Sequence, residues 1–110
     1  MKKFRLYQIK RDAKGSHDIK FSSLEFLKKH KLMKKLTPDL YGFVYEGTTA
    51  GEDTDEMLED IFMRFQGMKP EGFNGHSVST SDVVVMDGKT YYCDEYGWKE
   101  IDLDLSSVGQ

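Results

Sequence analysis

GHSVSTSDVVVMDGKTYYCDEYGWKEI, residues 75–101, is the stretch with the strongest β-sheet signal in this chain. Within it, Asp87-Gly88 separates the apolar run of residues 83–86 from the β-prone run of residues 89–93. A type I′ turn needs positive φ at both central residues, and Asp-Gly is a sequence that accepts this geometry. The stretch therefore predicts a two-residue β-hairpin.

The predicted turn also sets the register of the hairpin, because facing residues share one side of the sheet. Val84 is then opposite Tyr91, and Val83 is opposite Tyr92. The other predicted pairs are Met86 with Lys89, Val85 with Thr90 and Asp82 with Cys93. Since both sides of the hairpin are apolar, we expect it to lie centrally and to be covered on both faces.

Two further segments predict a strand and a helix near the N-terminus. Residues 2–9 alternate in side-chain character, which predicts a strand with Phe4, Leu6 and Gln8 on one side. Residues 21–26 predict a helix start, with Ser22 as the cap and with Phe21 and Phe26 packed across it. This helix is expected to end near His30.

The middle of the chain predicts a second strand and a second helix. Residues 40–46 are β-prone, with Tyr41, Phe43 and Tyr45 expected on one face. Asp53 can cap the following helix, and Glu56 stands at the third helical position. The apolar spacing of that helix, i, i+3, i+4 and i+7, predicts a buried stripe of Leu58, Ile61, Phe62 and Phe65.

These elements predict an α+β fold with two helices packed on a mostly antiparallel, curved sheet, in the order β-α-β-α-β-β-β. The turn at Glu95-Tyr96-Gly97 and a strand from Trp98 to Ile101 complete that order. The 110 residues suit one domain with a single core. We expect the domain to span residues 1–105 and residues 106–110 to form a flexible tail.

The composition indicates a globular protein of a reducing compartment. The chain has one cysteine, Cys93, so an internal disulfide cannot form. No stretch approaches the length of a membrane span, and the N-terminal lysines are not followed by the apolar region of a signal peptide. A cytoplasmic location is the expectation.

Charge is unevenly distributed along the chain. Residues 1–36 carry 12 basic and three acidic side chains, whereas residues 37–110 carry four basic and 16 acidic ones. A candidate basic patch follows from the first segment, at Lys28, Lys29, Lys31, Lys34 and Lys35. Such a patch can contact phosphate. It can equally be the solvated end of a helix, with the two halves of the fold compensating each other.

The sequence contains no strong catalytic or metal-binding motif. His76 and Ser77 are adjacent, but neighbours in an extended segment point to opposite sides. Cys93 with His76 and Asp94 is a conceivable nucleophile set, and His76 with Asp82 and Asp94 a conceivable metal set. We predict neither set, and we expect no catalytic residue, no bound metal and no cofactor. For Cys93 the reason is that a cysteine inside a predicted hairpin is usually an inert packing residue.

Several motifs together resemble the YodL-like domain family, and they extend over nearly the whole chain. The segments that carry the resemblance are Val44-Tyr45-x-Gly47, Leu58-Glu59-x-Ile61-Phe62 with Phe65, Pro70, Gly75-His76-Ser77-x-Ser79-x-Ser81-Asp82-Val83-Val84, and Tyr91-Tyr92-x-Asp94 with Gly97-Trp98. Cys93 and Trp98 depart mildly from the family pattern. The resemblance implies a functionally uncharacterised domain of Gram-positive bacteria and their mobile elements, and it supplies no active site.

Binding is the function class that these observations favour. Tyr96 and Trp98 flank a predicted turn, and both residue types are common anchors at protein interfaces. With His76 they form the candidate partner-binding surface of a non-catalytic module, whose partner is expected to be another intracellular protein. Two alternatives are a nucleic-acid-associated or DNA-mimicking accessory protein, from the charge asymmetry, and a small hydrolase using His76.

Overall fold

The computed structural model describes residues 1–10, 13, 16–66, 73 and 75–108. Its strands are β1 (Lys2–Ile9), β2 (Tyr41–Thr49), β3 (Val83–Met86), β4 (Lys89–Cys93) and β5 (Trp98–Ile101). Its helices are α1 (Ser16–Ile19), α2 (Leu24–Lys29) and α3 (Thr54–Arg64), with 3₁₀ turns at Met33–Lys35 and Pro38–Leu40. The predicted α+β order is confirmed, with the single turn α1 as an addition. No described helix is long and apolar enough to cross a membrane.

The five strands form one antiparallel sheet in the order β2-β1-β3-β4-β5. The hairpin of β3 and β4 has the predicted register, with Val84 opposite Tyr91 and Val83 opposite Tyr92. Asp87 and Gly88 have φ values of 54° and 74°, as a type I′ turn requires. The local turn signal therefore predicted both the hairpin and its register correctly.

Each face of the sheet is covered by its own helical layer, which confirms the predicted two-sided burial. We call them the α3 face and the α2 face. The α3 face packs against α3 and includes Phe4, Leu6, Val84, Met86, Ile61 and Phe65. The α2 face packs against α1 and α2 and includes Tyr7, Ile9, Val83, Tyr92, Ile19 and Leu27. Since strand side chains alternate, a single β3–β4 hairpin contributes to both cores.

Helix α3 begins with the predicted cap. The Asp53 carboxylate accepts a hydrogen bond from the Glu56 amide at 2.9 Å, and the Glu56 carboxylate accepts one from the Glu52 amide at 2.7 Å. Most of the predicted apolar stripe is buried, namely Leu58, Ile61 and Phe65. Phe62 was expected in the core but lies only partly buried at its margin.

Strand β2 contains a β-bulge that overturns one prediction. Leu6 is opposite Tyr45, whereas the next residue of β1, Tyr7, is opposite Phe43, so Val44 is an extra residue. An extra residue reverses the alternation of side chains that follow it. Tyr41 and Phe43 consequently lie on the α2 face and Tyr45 on the α3 face, and the prediction of a shared face was wrong.

Helix α2 begins one residue later than predicted. Ser23, not Ser22, is the cap, and its hydroxyl accepts a hydrogen bond from the Phe26 amide at 3.1 Å. The Ser22 carbonyl is instead an acceptor for the Tyr92 hydroxyl at 2.6 Å. Phe21 and Phe26 are therefore not packed across the cap, and both rings are exposed.

The end of α2 is closed by a Schellman arrangement. The Leu32 amide donates to the Leu27 carbonyl at 2.7 Å, and the Lys31 amide donates to the Lys28 carbonyl at 3.2 Å. Lys31 takes the left-handed position, with φ of 58°, where glycine is the usual residue. The helix thus ends at the predicted place, with His30 as its cap.

The chain after β5 folds back onto the α2 face. The Thr90 hydroxyl donates to the Leu103 carbonyl at 2.7 Å, and Leu105 is buried. Val108 is partly buried against the same core. Residues 109–110 lie outside the described residues, and the flexible tail at residues 106–110 stays a prediction.

Candidate functional site

A buried polar cluster joins the segment before β3 to the end of β1. The Gln8 amide nitrogen donates to the His76 carbonyl at 2.8 Å and to the Asp82 carboxylate at 3.0 Å. The Gln8 amide oxygen accepts from the His76 backbone N–H at 3.2 Å. A Cβ added at Gly75 would lie 2.2 Å from that oxygen, so only glycine fits beside Gln8. These contacts connect residues 68 and 74 positions apart.

Asp82 is a buried carboxyl group whose two oxygens have different surroundings. Its Oδ2 accepts from Gln8 and from the Ser79 amide, the latter at 2.9 Å, whereas its Oδ1 lies 4.0 Å from His76 Nε2. Burial raises the pKa of Asp82 to about 7, against the opposing effects of the Ser79 and Gln8 hydrogen bonds. Near neutral pH the carboxyl group therefore exists in both charge states.

The His76 ring is held by its own backbone. Nδ1 lies 2.7 Å from the Ser77 carbonyl oxygen, which can only accept, so this hydrogen bond forms in the tautomer that carries its proton on Nδ1. Nε2 is then the acceptor nitrogen; it is buried and has no hydrogen-bond partner among the described residues. Although the His76 side chain is 41% exposed, the nitrogen that could act as a base points inward, toward Asp82.

Cys93 and Asp94 lie next to each other at the end of β4, and the contacts of both have a structural role. Burial, with a smaller effect of the nearby carboxyl groups of Asp82 and Asp94, raises the pKa of the Cys93 thiol to about 12. The Asp94 carboxylate accepts from the Leu24 amide at 3.0 Å, at the start of α2, and from the Glu95 amide at 2.8 Å. Among the residues that the structure describes, no three His, Cys, Asp or Glu side chains are grouped as a metal site.

Phe21 is exposed because its backbone is held in an unusual conformation. Phe21 and Ser81 both have positive φ, at 65° and 88°, and the Phe21 amide donates to the Ser81 hydroxyl at 3.1 Å. The Tyr41 hydroxyl donates to the Ser81 carbonyl at 2.6 Å and so holds the backbone of Ser81 in place. The Phe21 ring is 59% exposed and stands edge-on to the His76 ring, with centroids 6.3 Å apart.

Two adjoining grooves lie beside this ring, and exposed aromatic side chains line both. The first, about 450 Å³, is lined by Phe21, Ser22, Ser23, Phe26, Thr80 and Glu95. The second, about 250 Å³, is lined by Ser23, Glu25, Asp94, Glu95, Tyr96 and Lys99. Ser23 and Glu95 belong to both. Phe26 is 44% exposed, and Tyr96 is 83% exposed. We call Phe21, Phe26 and Tyr96 the aromatic surface.

Trp98 lies apart from the aromatic surface. It pairs with Cys93 and packs half-buried against the core of the α3 face. With Phe62 it lines a cavity of about 90 Å³. Of the predicted binding residues, the structure therefore places His76 beside Phe21 and Tyr96 on the second groove, and Trp98 on the other face of the sheet.

The family assignment follows from a family model that matches residues 3–103 of the chain. The chain belongs to the YodL-like domain family. The matched region contains the three helices and the five strands described above, except for Lys2 at the start of β1. The comparison with curated proteins found no match, and the comparison with solved structures found none either.

The candidate basic patch of this YodL-like domain is spread around the end of α2. All five lysines are exposed. Lys35 lies 3.7 Å from the Asp18 carboxylate. Lys28 and Lys29 line a groove of about 890 Å³ between α2 and β5, and four acidic side chains line the same groove. These acids are Glu25, Asp94, Glu100 and Asp102.

Sequence reasoning missed two parts of this site. It placed Phe21 and Phe26 against the helix start, because it assigned the cap to Ser22. The shift of the cap to Ser23 depends on distant contacts of β4, which the local sequence does not show. It also did not assign a role to Gln8. The available signal was a polar residue on the otherwise apolar side of β1, which indicates a buried polar partner.

Proposed function

We propose that this YodL-like domain is a non-catalytic module that binds another protein through its aromatic surface. The observation that carries the proposal is the clustering of exposed apolar side chains. Five large apolar residues are exposed in the described part of the chain, namely Met1, Phe21, Phe26, Met63 and Tyr96. Three of these five line the two adjoining grooves.

The physical argument rests on the cost of leaving such rings in water. Isolated exposed apolar residues are ordinary, but aromatic side chains grouped around grooves are typical of interaction sites. The backbone also holds the Phe21 ring in solvent, because Phe21 and its hydrogen-bond partner Ser81 both have positive φ. Backbone strain of this kind is retained where the surrounding structure imposes it, and it often accompanies function.

The chemistry of the polar cluster supports a non-catalytic reading. The acceptor nitrogen of His76 points into the protein, so a bound substrate does not reach it without movement of the ring. The Cys93 thiol is buried, and its raised pKa keeps it protonated at neutral pH. The side chains of Gln8 and Asp82 bond to each other and to the backbone of His76 and Ser79, which is the work of a structural network.

The nucleic-acid alternative has weaker support. Lys28 and Lys29 share their groove with acidic side chains, and Lys35 is beside Asp18. Phosphate would be repelled by these carboxylates. Any attraction from the remaining lysines should fall away at physiological salt, because it depends on counterion release.

The test is capture of partners from the native host with matched variants. The binding variant carries Phe26→Ser and Tyr96→Ser. The control carries Met63→Ser, an equally apolar side chain that is 64% exposed on α3 and lies outside both grooves. All three proteins should unfold at similar denaturant concentrations. We expect to capture a partner that binds directly to the purified wild-type domain and to the control variant. The binding variant should bind the same partner at least about tenfold more weakly.

Equal capture by the binding variant and the control would refute the assignment of the aromatic surface. An enzymatic turnover that disappears in His76→Gln but survives in the binding variant would refute the non-catalytic reading.

A further inference from the structure

Strand β5 ends the sheet, and one side of its backbone is open. The Asp94 amide donates to the Gly97 carbonyl at 2.9 Å, and the pairing continues with Tyr92 opposite Lys99. In an antiparallel ladder, residues alternate between those that bond to one neighbour and those that bond to the other. Lys99 therefore bonds to β4, whereas Trp98 and Glu100 direct their N–H and C=O groups outward.

The outward groups of Trp98 and Glu100 have no partner among the residues that the structure describes. Beside them runs the groove of about 890 Å³ between α2 and β5. Its apolar lining consists of Leu24, Met33 and Ile101, with the latter two half-buried. An open strand edge next to a groove with apolar lining is the arrangement that accepts an added strand and one of its side chains.

We propose that β5 accepts an extended segment of a partner protein as a sixth, antiparallel strand. The inference rests on the proposed binding function and deepens it, because β5 follows directly on the turn that carries Tyr96. Antiparallel addition continues the pairing of the whole sheet and is the more stable of the two orientations.

The charges of β5 disfavour a second copy of the chain paired at the centre of the strand. If a two-fold axis perpendicular to the sheet relates two copies, the same face of both copies lies on the same side of the joined sheet. Two residues that face each other across the pair must then both have odd numbers or both have even numbers. Pairing of two β5 strands at their centres would place Lys99 opposite Lys99 or Glu100 opposite Glu100. Like charges directly opposite each other are destabilising. The charges of β5 thus select against self-pairing.

The same charges define the segment that fits. The residue opposite Lys99 lies beside that ammonium group on the same side of the sheet, so it should be acidic. The residue opposite Glu100 should be basic. Trp98 and Ile101 are half-buried and apolar, so they favour apolar partners. In antiparallel direction the segment therefore reads apolar, basic, acidic, apolar.

The probe for the test is a synthetic peptide, Thr-Val-Lys-Glu-Val-Thr, with blocked ends, titrated at millimolar concentration into ¹⁵N-labelled protein. We expect saturable NMR shifts along β5 and slower hydrogen exchange of the Trp98 and Glu100 amides. The control peptide, Thr-Val-Glu-Lys-Val-Thr, places like charges opposite both residues and should bind about fivefold or more weakly.

A charge-swapped protein, Lys99→Glu with Glu100→Lys, keeps the composition and should reverse the preference between the two peptides. N-methylation of the lysine and the second valine of the first peptide removes the N–H groups that face Glu100 and Trp98. That peptide should lose binding, since main-chain hydrogen bonds supply the affinity of an added strand.

Absence of binding by the first peptide, or binding that survives N-methylation without protection of the two amides, would overturn strand addition. Either result would leave the aromatic surface to the separate partner-capture experiment. Conversely, capture that ignores Phe26 and Tyr96 would refute the proposed function, even if the peptide results were as expected.

Discussion

Stability of this domain should fall as pH rises toward neutrality and above, because of Asp82. Burial raises the pKa of this carboxyl group from 3.8 to about 7 in the folded protein. The folded state therefore holds its proton more tightly than the unfolded state does. The contribution is fully present below the unfolded pKa, and it is lost as pH rises through the folded pKa.

The size of the effect follows from the two pKa values. A difference of about three pKa units corresponds to about 4 kcal/mol of stability over the whole range. Between about pH 5 and pH 8, where most exposed carboxylates are already ionised, the predicted loss is about 2–3 kcal/mol. That loss is a large fraction of the stability of a small domain.

Two variants separate Asp82 from its neighbours. Asp82→Asn keeps the shape and still accepts from Gln8 and Ser79, and its NH₂ group can face His76 Nε2, so it imitates the protonated acid. Its stability should lose most of the slope between pH 5 and pH 8. His76→Gln removes the imidazole, which faces the same carboxyl group, and should retain the slope. The charge of Lys20 lowers the pKa of Asp82, against the larger effect of burial.

The assay is urea unfolding of the three proteins at a series of pH values at constant ionic strength. A wild-type free energy of unfolding that rises from pH 5 to pH 8 would refute the reasoning. An unchanged slope in Asp82→Asn would refute it equally, because the proton would then belong to another group.

Three further predictions concern the fold and are checked by denaturant unfolding. Gly88→Val should cost a few kcal/mol, because a β-branched residue tolerates the observed positive φ badly, whereas Asp87→Asn should be nearly silent; equal losses from both would contradict the turn argument. Phe65→Ala should cost about 3–5 kcal/mol and Phe62→Ala roughly half as much, since Phe65 is fully buried and Phe62 is not; the reverse order would mean that the packing of α3 has been misread. Lys31→Gly should stabilise the protein by about 0.5–1 kcal/mol, because glycine occupies the left-handed position without strain; destabilisation would show that the lysine side chain contributes more than its backbone costs.

Local rules were sufficient where neighbours in sequence decide the geometry. The Asp87-Gly88 turn sets the register of β3 and β4, because a two-residue turn leaves one pairing for the residues beside it. The cap at Asp53 and the spacing of α3 are local in the same way. The alternation of β1 predicted its length correctly, from Lys2 to Ile9.

The bulge in β2 shows where local rules stopped. Nothing in the pattern of residues 41–46 marks Val44 as an extra residue, because the bulge forms only in the pairing with β1. The shift of the α2 cap has the same origin. Tyr92 and Asp94, on β4 and just after it, hold Ser22 and Leu24 across some 70 positions of sequence, and these bonds leave Phe21 and Phe26 in solvent.

The sequence by itself determined the hairpin, the helix spacing, the fold class and the family resemblance, because turn geometry and side-chain periodicity are properties of adjacent residues. Only the tertiary structure decided the strand order, the cluster of Gln8, His76 and Asp82, and the aromatic surface. Each of these depends on contacts between distant segments, whose free energy is settled by the packing of the whole sheet and not by any one stretch of chain.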